Sequence, residues 1–81
     1  MIEHKAITDS ELFSLIRQGK IMFAGNRRLK IYGRLDCASG TRMKRENRVF
    51  FMNEAEANRL GYRPCGNCLH GAYLGWKKRQ V

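Results

Sequence analysis

Two cysteines spaced three positions apart in a proline- and glycine-containing turn, Tyr62-Arg63-Pro64-Cys65-Gly66-Asn67-Cys68, constrain this chain more than any other feature. Thiolates at that spacing reach one tetrahedral centre with bonds of about 2.3 Å. A third cysteine, Cys37, brings the count to an odd number, which fits poorly with a closed disulfide framework. A chain of 81 residues also has little core to spare. It buries only about 60–65% of the surface exposed by its unfolded form, a deficit that small domains often make up with a metal. A thioredoxin-like redox role for Cys-x-x-Cys requires a βαβ context that the flanking pattern lacks.

Cys37 follows a short apolar run and precedes the pair by a stretch long enough to fold back on it. The expected cofactor is one Zn2+ ion, with Cys37, Cys65 and Cys68 as sulfur ligands. The fourth position has several candidates. His70, two residues past Cys68, is the chemically preferred one and completes the expected ligand set. His4, Asp36, Thr41 and a bound water are the others, with Asp36 a hard ligand and a neutral Thr41 hydroxyl a poor one.

The remaining sequence reads as α+β, a small three-stranded antiparallel sheet flanked by helices and stabilised by zinc, in a single domain over residues 1–81. Thr8-Asp9-Ser10-Glu11 is a capping box ahead of Leu12, Leu15 and Ile16, which predicts a helix from Asp9 to Gln18 ended by Gly19. Runs at Ile21–Ala24, Leu29–Tyr32 and Arg48–Met52 predict the strands, with Gly25-Asn26 as a turn. Asn53 predicts a capped second helix from Glu54 to Leu60, followed by Gly61. A third helix, from Leu69 to about Lys78, carries Tyr73 and Trp76 but is weakened by Gly71 and Gly75.

Charge points to a partner. Sixteen Lys and Arg residues against seven Asp and Glu give a formal charge of +9. Such an excess suits a polyanion, and the expected partner is DNA, contacted through its backbone without base reading. Eight of the cations fall between Arg27 and Arg48: Arg27, Arg28, Lys30, Arg34, Arg42, Lys44, Arg45 and Arg48, opposed by Asp36 and Glu46. Lys77-Lys78-Arg79 form a second cluster. No apolar run is long enough to span a membrane and the first residues lack a signal-peptide pattern, so a cytoplasmic monomer is expected.

The stretch from Phe23 to Cys68 resembles the N-terminal metal-binding domain of Ada, a bacterial protein of methylated-DNA repair. The resemblance is carried by Arg45-Glu46-Asn47-Arg48-Val49-Phe50-Phe51, an Ala-containing helix, and Gly61-Tyr62-Arg63-Pro64-Cys65-Gly66-Asn67-Cys68. It implies a small sheet with helices, and zinc held by four cysteines, the first two four residues apart and the last two as Cys-x-x-Cys. It also implies that the first cysteine irreversibly accepts a methyl group from a methylphosphotriester of the DNA backbone. Cys65 and Cys68 match the closing pair. The opening pair departs: with Cys37 in the first place, Thr41 occupies the second, and with Cys37 in the second, Gly33 occupies the nucleophile's place. The first register is preferred because a glycine precedes the reactive cysteine in both. It makes Cys37 the single-turnover methyl acceptor as well as a ligand. The competing reading is a structural zinc domain for protein interaction with no methyl-acceptor activity.

Overall fold

A computed structural model describes residues 1–37 and 43–79. The strands are β1 (Ile2–Glu3), β2 (Phe23–Asn26), β3 (Ile31–Arg34), β4 (Arg48–Phe51) and β5 (Arg63–Pro64), and the helices α1 (Asp9–Arg17), α2 (Glu54–Arg59) and α3 (His70–Arg79). Single 3-10 turns at His4–Ala6 and Arg45–Asn47 lead into α1 and β4. Among the described residues no helix is long and apolar enough to cross a membrane.

The helix signals act where the sequence puts them. Thr8 Oγ1 accepts from the Glu11 amide and Glu11 Oε1 accepts from the Thr8 amide, both at 3.1 Å, so two amides left over at the start of α1 are satisfied. Asn53 Oδ1 accepts from the Glu56 amide at 2.8 Å and starts α2. Gly19 and Gly61 follow the two helices with φ of +72° and +88°.

Among the described residues the sheet is larger than expected, with five strands in the order β1-β4-β2-β3-β5 and mixed direction. Its centre is the anticipated antiparallel trio, β4-β2-β3. β1 adds antiparallel to β4, whereas β5 lies parallel to β3 through Ile31↔Arg63 and Tyr32↔Pro64. Both additions are two residues long, too short to show the alternation by which strands are read from sequence.

The β2–β3 hairpin also corrects the expected strand limits. The turn is not at Gly25-Asn26 but beyond it, over Arg27 to Lys30. Asn26 Oδ1 accepts from the amides of Arg28 and Leu29 at 2.9 and 3.1 Å, and Lys30 takes φ 58° to re-enter the ladder. Gly25 is therefore a strand residue paired with Tyr32 and Val49. It is glycine because a Cβ there would lie 2.8 Å from Phe51 Cε2 and 3.0 Å from the Ile31 carbonyl.

Alternation along β4 divides the core between the sheet's two faces. Val49 and Phe51 pack with Tyr32, Ala57 and Tyr62 on one face, together with Leu69 beyond the cysteine turn. Phe50 packs with Leu12, Ile21 and Ala24 on the other, under α1. Phe51 sits edge-on to Tyr62 and to Tyr32, with centroids 4.8 and 6.4 Å apart, so that one face ties β3, β4 and the chain entering β5. Substituting Gly25→Ala should cost about 1–3 kcal/mol through overpacking against Phe51, read as a lower urea midpoint at unchanged m-value. An unchanged midpoint would contradict this packing.

Candidate metal centre

The parallel pairing of β3 with β5 is what brings the cysteines together. The Cys65 amide donates to the Tyr32 carbonyl at 2.7 Å, extending the β3–β5 ladder one residue into the Cys65–Cys68 turn. Leu69 N donates to the Cys65 carbonyl at 3.1 Å and closes that turn. The Arg34 amide, at the end of β3, donates to Cys68 Sγ at 3.3 Å. Just past β3 the chain bends, with Cys37 N donating to the Arg34 carbonyl at 3.1 Å. The three cysteine sulfurs consequently lie within 4.8 Å of one another. None is in a disulfide.

Their chemistry fits a metal. Sulfurs on a tetrahedral ion with bonds of about 2.3 Å are about 3.8 Å apart, a separation this cluster meets with small adjustments. Cys65 is buried, while Cys37 and Cys68 are half-buried. Burial pushes the Cys68 thiol up to about 11, the neighbouring thiols of Cys37 and Cys65 add to the rise, and the Arg34 amide opposes it. Three crowded sulfur groups ionise together only when a cation offsets their mutual repulsion, which a dication with soft-ligand preference does.

The other expected ligands do not join the cluster. His70, exposed at the start of α3, has Nδ1 3.3 Å from the Gly66 carbonyl oxygen and outside the sulfur group. Asp36 is outside it too, its carboxylate 2.8 Å from Arg34 Nη2. His4 packs edge-on against Phe50, where burial first and the charges of Arg45 and Arg48 second lower its pKa. Thr41 lies outside the described residues.

The cations divide by what they touch. Arg48 is half-buried, with its guanidinium over the Phe50 ring at 5.1 Å and Nη2 donating to the Leu35 carbonyl at 3.3 Å. Burial lowers its pKa, and its place is structural rather than a free surface charge. Arg45 reaches Asp9 at 3.0 Å and the Ile7 carbonyl, anchoring the turn before β4 to the entry of α1. Arg27 faces Glu3 at 3.4 Å, and Arg34 faces Asp36 at 2.8 Å. Arg28, Lys30 and Lys44 are exposed, Lys30 with its ammonium 4.8 Å from the centre of the Tyr62 ring. Arg42 lies outside the described residues.

Compared with known proteins, the chain matches a family model described as the metal binding domain of Ada over residues 16–70. The chain belongs to that family. No curated protein and no solved structure matches it. The Ada match begins inside α1 and ends at the first residue of α3, so it spans the sheet core and all three cysteines.

One residue considered only as an alternative in the sequence, Gly33, and one not considered there, Arg63, adjoin the centre. Gly33, in β3, faces the cysteines: a Cβ built on it would lie 2.7 Å from Cys68 Sγ, 3.2 Å from Cys65 Cβ and 3.9 Å from Cys37 Cβ. It stands four residues before Cys37, the spacing on which the second register of the Ada resemblance rests. Arg63, in β5, spreads its guanidinium over the rings of Tyr73 and Trp76, at 5.3 and 5.6 Å, and so fastens α3 to the edge of the sheet beside the cysteines. Its partners lie ten or more residues on, across a turn whose geometry no local pattern discloses.

The raised Cys68 value sets a direction for pH. In the metal-free protein the thiol's folded pKa lies above its ordinary value near 9, so the unfolded chain loses that proton first as pH rises. The stabilising contribution is complete below about pH 9 and is lost as pH rises toward about 11. Urea midpoints of the metal-free protein should fall more steeply over this window than those of Cys68→Ser. Equal slopes would place the thiol in a solvated setting instead.

Proposed function

We propose that the chain is a zinc-binding module that docks on the phosphate backbone of DNA, with Cys37, Cys65 and Cys68 holding one ion within a single domain. The observation that carries the reading is the meeting of three thiols from separate segments in a chain of the Ada metal-binding family. Sulfur donors select zinc over the oxygen-seeking divalent cations. When bound, the zinc keeps its sulfurs deprotonated and cross-links the end of β3 to the Cys65–Cys68 turn. The amide of Arg34 assists by donating to Cys68 Sγ, and the Tyr32 carbonyl holds Cys65 in place.

The charge supports a polyanionic partner. Arg28, Lys30 and Lys44 present exposed cations, and the ion pairs of Arg27 and Arg34 are surface pairs of small worth that phosphates can replace. Lys77, Lys78 and Arg79 close α3 with a second basic group. Attraction of this kind neither reads bases nor requires a groove-binding helix.

On methyl transfer, the geometry favours the register set aside in the sequence reading. Gly33 faces the closing pair at the spacing of the family's opening cysteine, which supports Cys37 as the second member of that pair. A hydrogen atom then stands where the methyl-accepting sulfur would project. The module in this reading binds and does not accept methyl groups.

Titration of the zinc-loaded protein with duplex DNA at two salt concentrations tests both parts. About four to six phosphate contacts predict that log K falls by about 0.9 per contact for each log unit of salt, and Arg28→Ala with Lys30→Ala should flatten that slope. Absence of binding at low salt would favour a protein-interaction domain. A duplex carrying a methylphosphotriester should leave the protein's mass unchanged, whereas methylated Cys37 would restore the first register.

A further inference from the structure

We propose that the cleft between the β2–β3 hairpin and α3 receives one unpaired nucleobase, so that the DNA this module prefers is single-stranded. The proposal rests on the DNA-backbone reading and names the form of DNA that the same surface takes.

The cleft follows from how the sheet is covered. Ala24 pairs with Phe50 on one side and with Gly33 on the other, so the three share a face. Leu12 of α1 packs over Phe50 and Ala24. Toward β3 and β5 that cover gives out, and no residue of α1 lines the cleft of about 530 Å³ found there. Ala24 and Gly33 line it with the smallest side chains available, which gives it depth. A cleft of this volume lies in the range of sites for planar small ligands.

Its walls suit a flat ring. Leu29 and Met43 contribute apolar surface, and Tyr73 of α3 contributes an aromatic one. The Tyr73 ring is already ordered: it lies 24° from parallel to Trp76 with centroids 6.0 Å apart, and the Arg63 guanidinium lies over both. A platform fixed before binding loses little freedom when a base stacks on it.

The charge suits the phosphates on either side of such a base. Arg34, Arg63 and His70 line the cleft, and among the described residues no Asp or Glu does. Lys77, exposed and four residues beyond Tyr73, continues the cationic path along the same side of α3. Apolar walls, one aromatic face and cations without a carboxylate match a nucleotide better than an acidic peptide, which brings charge but no flat ring. In a duplex each base is stacked and paired, so entry requires pulling it out of the helix, whereas a single strand offers its bases at far lower cost. Stacking engages the face that every base has, so the cleft does not choose among them.

Trp76 is the one tryptophan of the chain and lies in the stack beside Tyr73, so its fluorescence reports on the cleft. The probes are a short oligodeoxythymidylate, an abasic deoxyribose-phosphate oligomer of the same length, and a duplex of the same length. Titrating the zinc-loaded protein with the thymidylate should quench Trp76 saturably. Its affinity should exceed that of the abasic oligomer about tenfold, and should exceed that of the duplex as well. Tyr73→Ala should bring the thymidylate down to the abasic level. Equal affinity of the wild-type protein for thymidylate and abasic oligomer overturns the proposal and leaves the backbone reading intact. Tighter binding of the duplex than of the single strand does the same. A folded Tyr73→Ala protein that still favours thymidylate tenfold overturns the placement of the base on Tyr73. Absence of binding to all three at low salt overturns the backbone reading together with the proposal. The wild-type comparison of base with no base decides even where the variant folds poorly.

Discussion

The short parallel pairing of β5 with β3 is the interaction on which the rest of the structure turns. Only two residue pairs make it, yet it places the Cys65–Cys68 turn beside the end of β3, where the chain bends into Cys37. Parallel ladders this short are weak by themselves. Support comes from Phe51 and Tyr62 packing beneath and from Arg63 clasped over Tyr73 and Trp76. A metal on the three sulfurs would close the same junction covalently, linking segments that sequence separates by nearly thirty positions. Binding and folding are coupled at such a junction.

The arrangement also explains how a chain this small sustains a sheet buried on both faces. β4 supplies Val49 and Phe51 to one side and Phe50 to the other, so three consecutive residues anchor two separate cores. Each core is thin. α1 covers one and α2 with the Cys65–Cys68 turn the other, and α3 has no fully buried residue of its own. The position of α3 depends instead on Arg63 and on the turn that precedes it, next to the cysteines.

Much of this was legible in the sequence where local chemistry decides. The Thr8-x-x-Glu11 box, the Asn53 cap and the glycines after both helices act within four residues of themselves, and they do what their side chains require. The Cys65-x-x-Cys68 pair and the family resemblance located the centre. What was not legible depends on distant partners. Gly25 looked like a turn residue because its need, clearance for the Phe51 ring, arises across the sheet. β1 and β5 exist only through their neighbours. His70 looked like a ligand by proximity in sequence, but the turn that starts α3 carries its Nδ1 to the Gly66 carbonyl. The partners of Arg45 and Arg48 (Asp9, Leu35 and Phe50) are likewise invisible to a charge count. Gly33 was visible only as an absence.

The central claim is that Cys37, Cys65 and Cys68, the three cysteines of the sequence, share one ion. X-ray absorption at the zinc edge of the reconstituted protein addresses it directly. The account predicts three sulfur neighbours at about 2.3 Å and one lighter scatterer completing the shell. Fewer than three sulfurs, or a shell of nitrogen and oxygen alone, would contradict it.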